Sequence, residues 1–170
     1  VVEIAVEVIG AQYAAIGVLG PDGRTLESFT TMGLSDAERT AIGPPPLGHG
    51  ILGLVIRAGK PIRLPDLSRH PESYGFPPNH PPMHSFLGVP IIGRRGIFGN
   101  LYLTEKHDGG DFDDEDEELA TLLAAQAAVA IENARLYEAA TVWSKLLESL
   151  QELSSALASE LELPKLLPLL

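Results

Sequence analysis

From Leu119 the chain runs through LATLLAAQAAVAIENARLYEAATVWSKLLESLQELSSALASEL with no glycine or proline until Pro164. A stretch of that length without a breaker forms one helix, because nothing in it removes a backbone donor or relaxes φ. Whatever sheet the chain builds must come from the residues before it. The acidic run DFDDEDEE directly ahead sets carboxylates at the positive end of the helix dipole, where each stabilises by about 0.3–1 kcal/mol at best. An EF-hand reading of that run fails, because the loop from Asp108 lacks the glycine and glutamate that such a loop needs. Farther on, Trp143, Leu146, Leu150, Leu153 and Leu157 step by 3, 4, 3 and 4, a coiled-coil seam. That seam suits a parallel signalling helix, in a homodimer or against a neighbouring domain. The chain starts in mid-helix and ends abruptly at Leu170, as a piece cut from something longer would.

Composition narrows the function. The chain has 170 residues, 45% apolar and 21% charged, the balance of one globular domain. A net charge of −11 repels phosphate backbones and anionic lipids, which argues against nucleic-acid or membrane-surface partners and for a cytoplasmic protein. The absence of cysteine excludes disulfides, thiolate ligands and covalently attached haem or bilin, so a cofactor must be held non-covalently. No apolar run is long enough to span a membrane, and the first residues, VVEIAVEV, lack the pattern of a signal peptide. GxSxG, Walker, HExxH and nucleophilic cysteine motifs are all missing, so an enzyme is not expected in this stretch.

Ahead of the long helix, glycine and proline punctuate a series of short elements. Val1 to Val8 reads as the end of a helix stopped at Gly10. Tyr13–Leu19 and Thr25–Thr31 flank GPDGR, a turn between antiparallel strands. Ser35 caps a short helix over Asp36–Ile42, and GPPPLGHG forces an extended loop. A second short helix covers Ile51–Arg57, and Pro61–Leu64 is a strand. Pro65 to Ser85 then holds six of the 14 prolines without periodicity, and a loop so long in a compact domain is usually functional. Phe86–Ile92 and Ile97–Thr104 around GRRG form a second hairpin. The order implies an α+β fold, an antiparallel sheet flanked by helices on one side.

Chemistry concentrates between Phe76 and Lys106. His80 stands in a proline-stiffened corner, with Pro77, Pro78, Pro81 and Pro82 around it, so placing it as a ligand costs little chain entropy. Neutral imidazole ligates haem iron or zinc, provided its other ring nitrogen finds an acceptor. Read alone, a histidine in a proline-rich loop is more often surface decoration than a ligand, and Tyr102 is by default a core aromatic. His80 and His84 would share a face if their segment were helical and could then take zinc, but Pro81 and Pro82 oppose a helix and no third ligand is evident. His49, His70 and His107 read as exposed loop residues.

LGVPI, FGNLYLTEK and the following Phe112, Asp116 and Glu117 resemble the GAF domain pattern, with Lys106 in its lysine place. Where an asparagine commonly precedes that lysine, this chain has Glu105. HPPMHSFLGVP, FGNLYLTEK and ENARLYE resemble in particular the first GAF domain of actinobacterial sensor histidine kinases of the DevS and DosT type, which bind haem b. The resemblance covers roughly residues 1–140, leaving 141–170 as a helical linker to a downstream domain. It implies His80 as the proximal iron ligand, Tyr102 as the distal residue that donates a hydrogen bond to a bound gas, and Phe29 on the distal side. It further implies Met83 as a cofactor contact, and Gly17 at a place where some members carry an access-restricting glutamate.

The function so implied is sensing of O2, NO, CO or redox state by a haem domain that controls a histidine kinase and its response regulator. The alternative is a haem-free GAF domain that binds a small metabolite or nucleotide, or acts only in dimerisation.

Overall fold

A computed structural model describes residues 1–44 and 50–160, the side chains of 158–160 excepted. Most of the expected GPPPLGHG loop, His49 included, lies outside the described residues. In chain order the elements are α1 (Val2–Ile9), β1 (Ala11–Leu19), β2 (Leu26–Met32), α2 (Asp36–Ile42), α3 (Gly50–Ala58), β3 (Ile62–Leu64), β4 (Phe86–Gly93), β5 (Gly96–Lys106) and α4 (Asp114–Glu160). One 3-10 turn, Leu67–Arg69, interrupts the long proline-rich loop. The chain divides into two compact units, Val1–Ile131 and Glu132–Leu170.

In the first unit the five strands form an antiparallel sheet in the order β2-β1-β5-β4-β3. Both expected hairpins are present, and α1 ends on Gly10 in the left-handed conformation that glycine tolerates best. Ser35 caps α2 through a reciprocal capping box with Glu38. Close approach shapes the sheet at Gly99, where an added Cβ would stand 1.9 Å from the Gly17 carbonyl oxygen.

Side-chain alternation sends β4 and β5 to two different cores. Leu87, Val89, Ile91, Leu101 and Leu103 pack with Val2, Ala5 and Ile9 of α1 and with Ala120, Ala124, Ala127 and Ala128 of α4. Those alanines let the helix lie close to the sheet. Phe86 packs with Ile51 and Val55 of α3 and with Leu67 and Met83, and Tyr102 packs against this second cluster. Helices therefore cover both faces, not one as expected. A continuous run of buried positions in β4 is what a two-sided strand looks like, and it carries no alternation from which a solvated face could be read. In the second unit, Leu136, Trp143, Leu146, Leu150, Leu153 and Leu157 are all exposed.

Candidate functional site

On the α3 side of the sheet lies a cavity of about 820 Å³. Its size falls within the range of sites that enclose a drug-sized ligand, about 300–1,000 Å³. Backbone register explains the space. Thr31, Ala15, Tyr102 and Gly88 stand opposite one another across four strands, and Phe29, Gly17, Asn100 and Pro90 form the next row. Ala15 and Gly17 leave the middle of β1 without bulk. Four of the five residues singled out in the sequence, His80, Met83, Tyr102 and Phe29, line this one cavity.

His80 is set by a tight turn. Its backbone N–H donates to the Pro77 carbonyl at 3.2 Å, Pro78 occupies the second position, and Asn79 has φ 64° at the third. A proline followed by a positive φ is the signature of a type II turn, and asparagine is the non-glycine residue that best tolerates that conformation. The Asn79 side chain donates to the Ala41 carbonyl at 3.1 Å, tying the corner to the end of α2. The half-buried imidazole stacks on Phe76, with centroids 4.7 Å apart and 16° between planes. Nδ1 lies 2.8 Å from the Pro81 carbonyl oxygen. Because a carbonyl only accepts, this bond requires the Nδ1–H tautomer and leaves the Nε2 lone pair available.

Tyr102 stands between Phe29 and Phe86, at ring-centroid distances of 6.3 and 6.0 Å. Burial pushes its phenol well above the ordinary value, so the hydroxyl keeps its proton at neutral pH and remains a donor. Met83 is buried, and its sulfur accepts from the Thr104 hydroxyl at 3.1 Å. Gly17 differs from the other four. A Cβ there would meet Leu26 Cδ1 and Asn100 Oδ1 at 3.0 Å and Phe29 at 3.8 Å. Those neighbours line a second, smaller cavity of about 200 Å³, which shares Phe29 and Leu52 with the large one.

The other histidines separate from the site. The segment carrying His80 and His84 is not helical. His84 donates its backbone N–H to Glu105, and its Nδ1 is 3.4 Å from the same carboxylate. No cluster of three or more metal-ligating side chains occurs among the described residues. His70, expected to be exposed, is half-buried and accepts from the Glu72 N–H at 3.2 Å. His107 is exposed as expected.

The lysine pattern works as a strap between β5 and α4. Lys106 Nζ pairs with Asp116 and lies 4.0 Å from Asp113. Its hydrogen bond to Asp116 raises its pKa. Asp113 and Asp116 cap the helix reciprocally at 3.0 Å each way, and Phe112 is buried beside them. Arg63 on β3 adds contacts to Glu117 and to the Phe112 carbonyl. Glu105 has φ 58°, the conformation for which an asparagine at this place is suited.

Sequence reading missed three contributors. Phe76 stacks on His80, Phe86 flanks Tyr102, and Arg39 of α2 lines the cavity. The FPPNH corner held a signal for Phe76, an aromatic four residues before the histidine. Arg39 had none, because α2 reads as a solvated helix.

Comparison with known proteins gives the family. The GAF domain model matches residues 1–132. The GAF domain of a phosphoenolpyruvate-protein phosphotransferase (ptsP) from Coxiella burnetii superposes with a TM-score of 0.69 at 27% identity, covering 81% of this chain and 82% of that one. The GAF-B domain of DevS from Mycobacterium smegmatis superposes with a TM-score of 0.55 at 20% identity, covering 81% of this chain and 91% of that one, a likeness of fold alone. In sequence, the anaerobic nitric oxide reductase transcription regulator NorR of Serratia proteamaculans is 34% identical over 94 residues, 54% of this chain and 18% of that protein. This chain thus spans less than a fifth of that relative's length. The DevS likeness is weaker than the phosphotransferase one, so the haem-binding subtype implied by the sequence does not follow from these matches. With the match running from residue 1 to 132, the chain belongs to the GAF domain family, whose members here sit in signalling and regulatory proteins.

Proposed function

We propose that this chain is a haem-based sensor domain, holding haem b non-covalently in the large cavity with His80 as the iron ligand. When bound, haem supplies an iron that takes up O2, NO or CO or changes oxidation state. The observation that carries this reading is the ring of His80. Its Nδ1 proton is given to the Pro81 carbonyl at 2.8 Å, which leaves Nε2 as a lone-pair donor on the cavity wall. A carbonyl acceptor on the far nitrogen fixes the tautomer and raises the basicity of the ligating one. Aromatic and aliphatic lining from Phe29, Phe86, Met83, Ile51 and Leu52 suits a flat apolar macrocycle and excludes water from it. Tyr102, neutral and flanked by two rings, offers an O–H donor to a small bound ligand. Gly17 lies outside the lining of the large cavity, with Leu26 and Asn100 packed close over it.

In the full protein this reading puts a histidine kinase domain and its response regulator downstream, in the cytoplasm. The name of the NorR relative, a transcription regulator of an anaerobic nitric oxide reductase, supports a sensory role. A second reading is favoured by the likeness to phosphotransferase GAF domains: a haem-free domain that binds a small metabolite or nucleotide. The absorption spectrum of protein reconstituted with haem separates the two. A Soret band that is lost or shifted in His80→Ala is expected. No band in the wild-type protein, or the same band in the variant, overturns the haem reading.

A further inference from the structure

The wall of the large cavity departs from the rest of the chain in its charge. The protein carries 23 acidic residues against 12 lysines and arginines. Yet among the described residues lining the cavity there is no aspartate, glutamate or lysine, and one arginine, Arg39. A wall free of carboxylates in so acidic a protein leaves the field inside it governed by that one cation and by the distant net negative charge. Thr30, Thr31 and Ser73 supply hydroxyls, and the remaining lining is mostly apolar.

Arg39 is held loosely where it stands. It lies in the last turn of α2, and its Nη2 contacts Asp36 Oδ1 at 2.5 Å. Asp36 is one turn back, its side chain is 97% exposed, and it does not line the cavity. An i,i+3 pair so open to solvent contributes little, so a better acceptor displaces it readily. Most of the five N–H donors of the guanidinium have no partner among the described residues.

The geometry points to a ligand with an apolar body and an anionic end group, a carboxylate or its like, with Arg39 as the residue that reads the anion. The inference rests on the reading of this cavity as the ligand site. For haem, a propionate is that group. For the metabolite alternative, the same requirement selects an apolar acid. A guanidinium is suited to the task because its planar fork donates to both oxygens of a carboxylate.

Two pairs of probes test this on the same protein. The apoprotein is titrated by fluorescence with 1-anilinonaphthalene-8-sulfonate and with its neutral counterpart N-phenyl-1-naphthylamine. Haemin and its dimethyl ester are then compared by absorption. The wild-type protein should prefer each anionic probe by roughly tenfold or more, the range of a charge-assisted hydrogen bond. Arg39→Gln should remove the preference without changing affinity for the neutral amine, which also reports that the cavity is intact. Arg39→Lys should keep part of the preference, and Asp36→Asn should strengthen it. Equal binding of anionic and neutral probes to the wild-type protein, or a preference that survives Arg39→Gln, overturns the inference. The two readings fail separately. Sulfonate binding that depends on Arg39 without a Soret band sinks the haem assignment alone. A Soret band of equal strength from haemin and ester, unaffected by Arg39→Gln, sinks the role of Arg39 alone.

Discussion

Asn79 and Tyr102 show how much of this site is decided one residue at a time. A positive φ at Asn79 turns the chain so that His80 presents its ring to the cavity, and the Asn79 amide anchors the turn on α2. Tyr102 is held by Phe29 and Phe86 at ring spacings typical of aromatic packing, which fixes the ring while leaving its hydroxyl a neutral donor. Loss of that one donor is therefore selective. In haem-loaded protein, Tyr102→Phe should weaken O2 binding roughly tenfold, since bound O2 carries more negative charge than CO and gains more from a hydrogen bond. CO affinity should change by less than about twofold. Equilibrium gas titrations measure both, and equal changes would remove Tyr102 from a hydrogen-bonding role. His80 and Tyr102 were legible through the resemblance carried by HPPM and LYLT, because read alone a loop histidine passes for surface decoration and a strand tyrosine for a core residue. Arg39 was not, since a cation on a short polar helix looks like any other surface charge, and what distinguishes it is the acid-free wall around it.

Elements were legible where glycine and proline mark their ends, and less so where burial decides their faces. Gly10, the GPDGR turn and GRRG bound their strands and helices as the sequence suggests. The second helical layer was hidden, because Phe86 and Tyr102 serve a different core from Leu87 and Leu101 within strands that are apolar throughout. Between β5 and α4 the coupling is ionic. Lys106 and Asp116 have side chains only 16% and 9% exposed, and Asp116 also caps the helix it belongs to. Removing the cation leaves a buried carboxylate without its counter-charge. Lys106→Met should thus lower unfolding stability by about 3 kcal/mol, the scale of a buried pair broken on one side. Replacing Asp116 with leucine in the same protein should recover part of that loss, since no carboxylate is left without a counter-charge, but it removes the Asp116 half of the helix cap. Urea denaturation of the two variants measures this, and a single variant within about 0.5 kcal/mol of wild type would show the strap to be solvated.

At the scale of the whole molecule, an exposed apolar row with a regular period lies in the second unit. Leu136, Trp143, Leu150 and Leu157 recur at seven-residue intervals, with Leu146 and Leu153 between them, and each is about half or more exposed. Single exposed leucines need no explanation, but a row with heptad spacing does, because that period matches the meeting of two helices and not the contour of a globular surface. A second copy of the chain supplies an identical row in the same register. Net charge works against association, since two chains of −11 repel at low ionic strength. Self-association should therefore tighten as salt is raised, opposite to a contact held by surface ion pairs. Sedimentation equilibrium should show a concentration-dependent dimer. Leu150→Lys, which sets like charges against each other in the middle of the row, should weaken it by roughly a hundredfold, as expected when a buried leucine is lost and a charge gained. Urea unfolding of the first unit should be unchanged, because Leu150 lies outside it. A variant that dimerises as well as wild type would show that the row is covered by something other than its own copy.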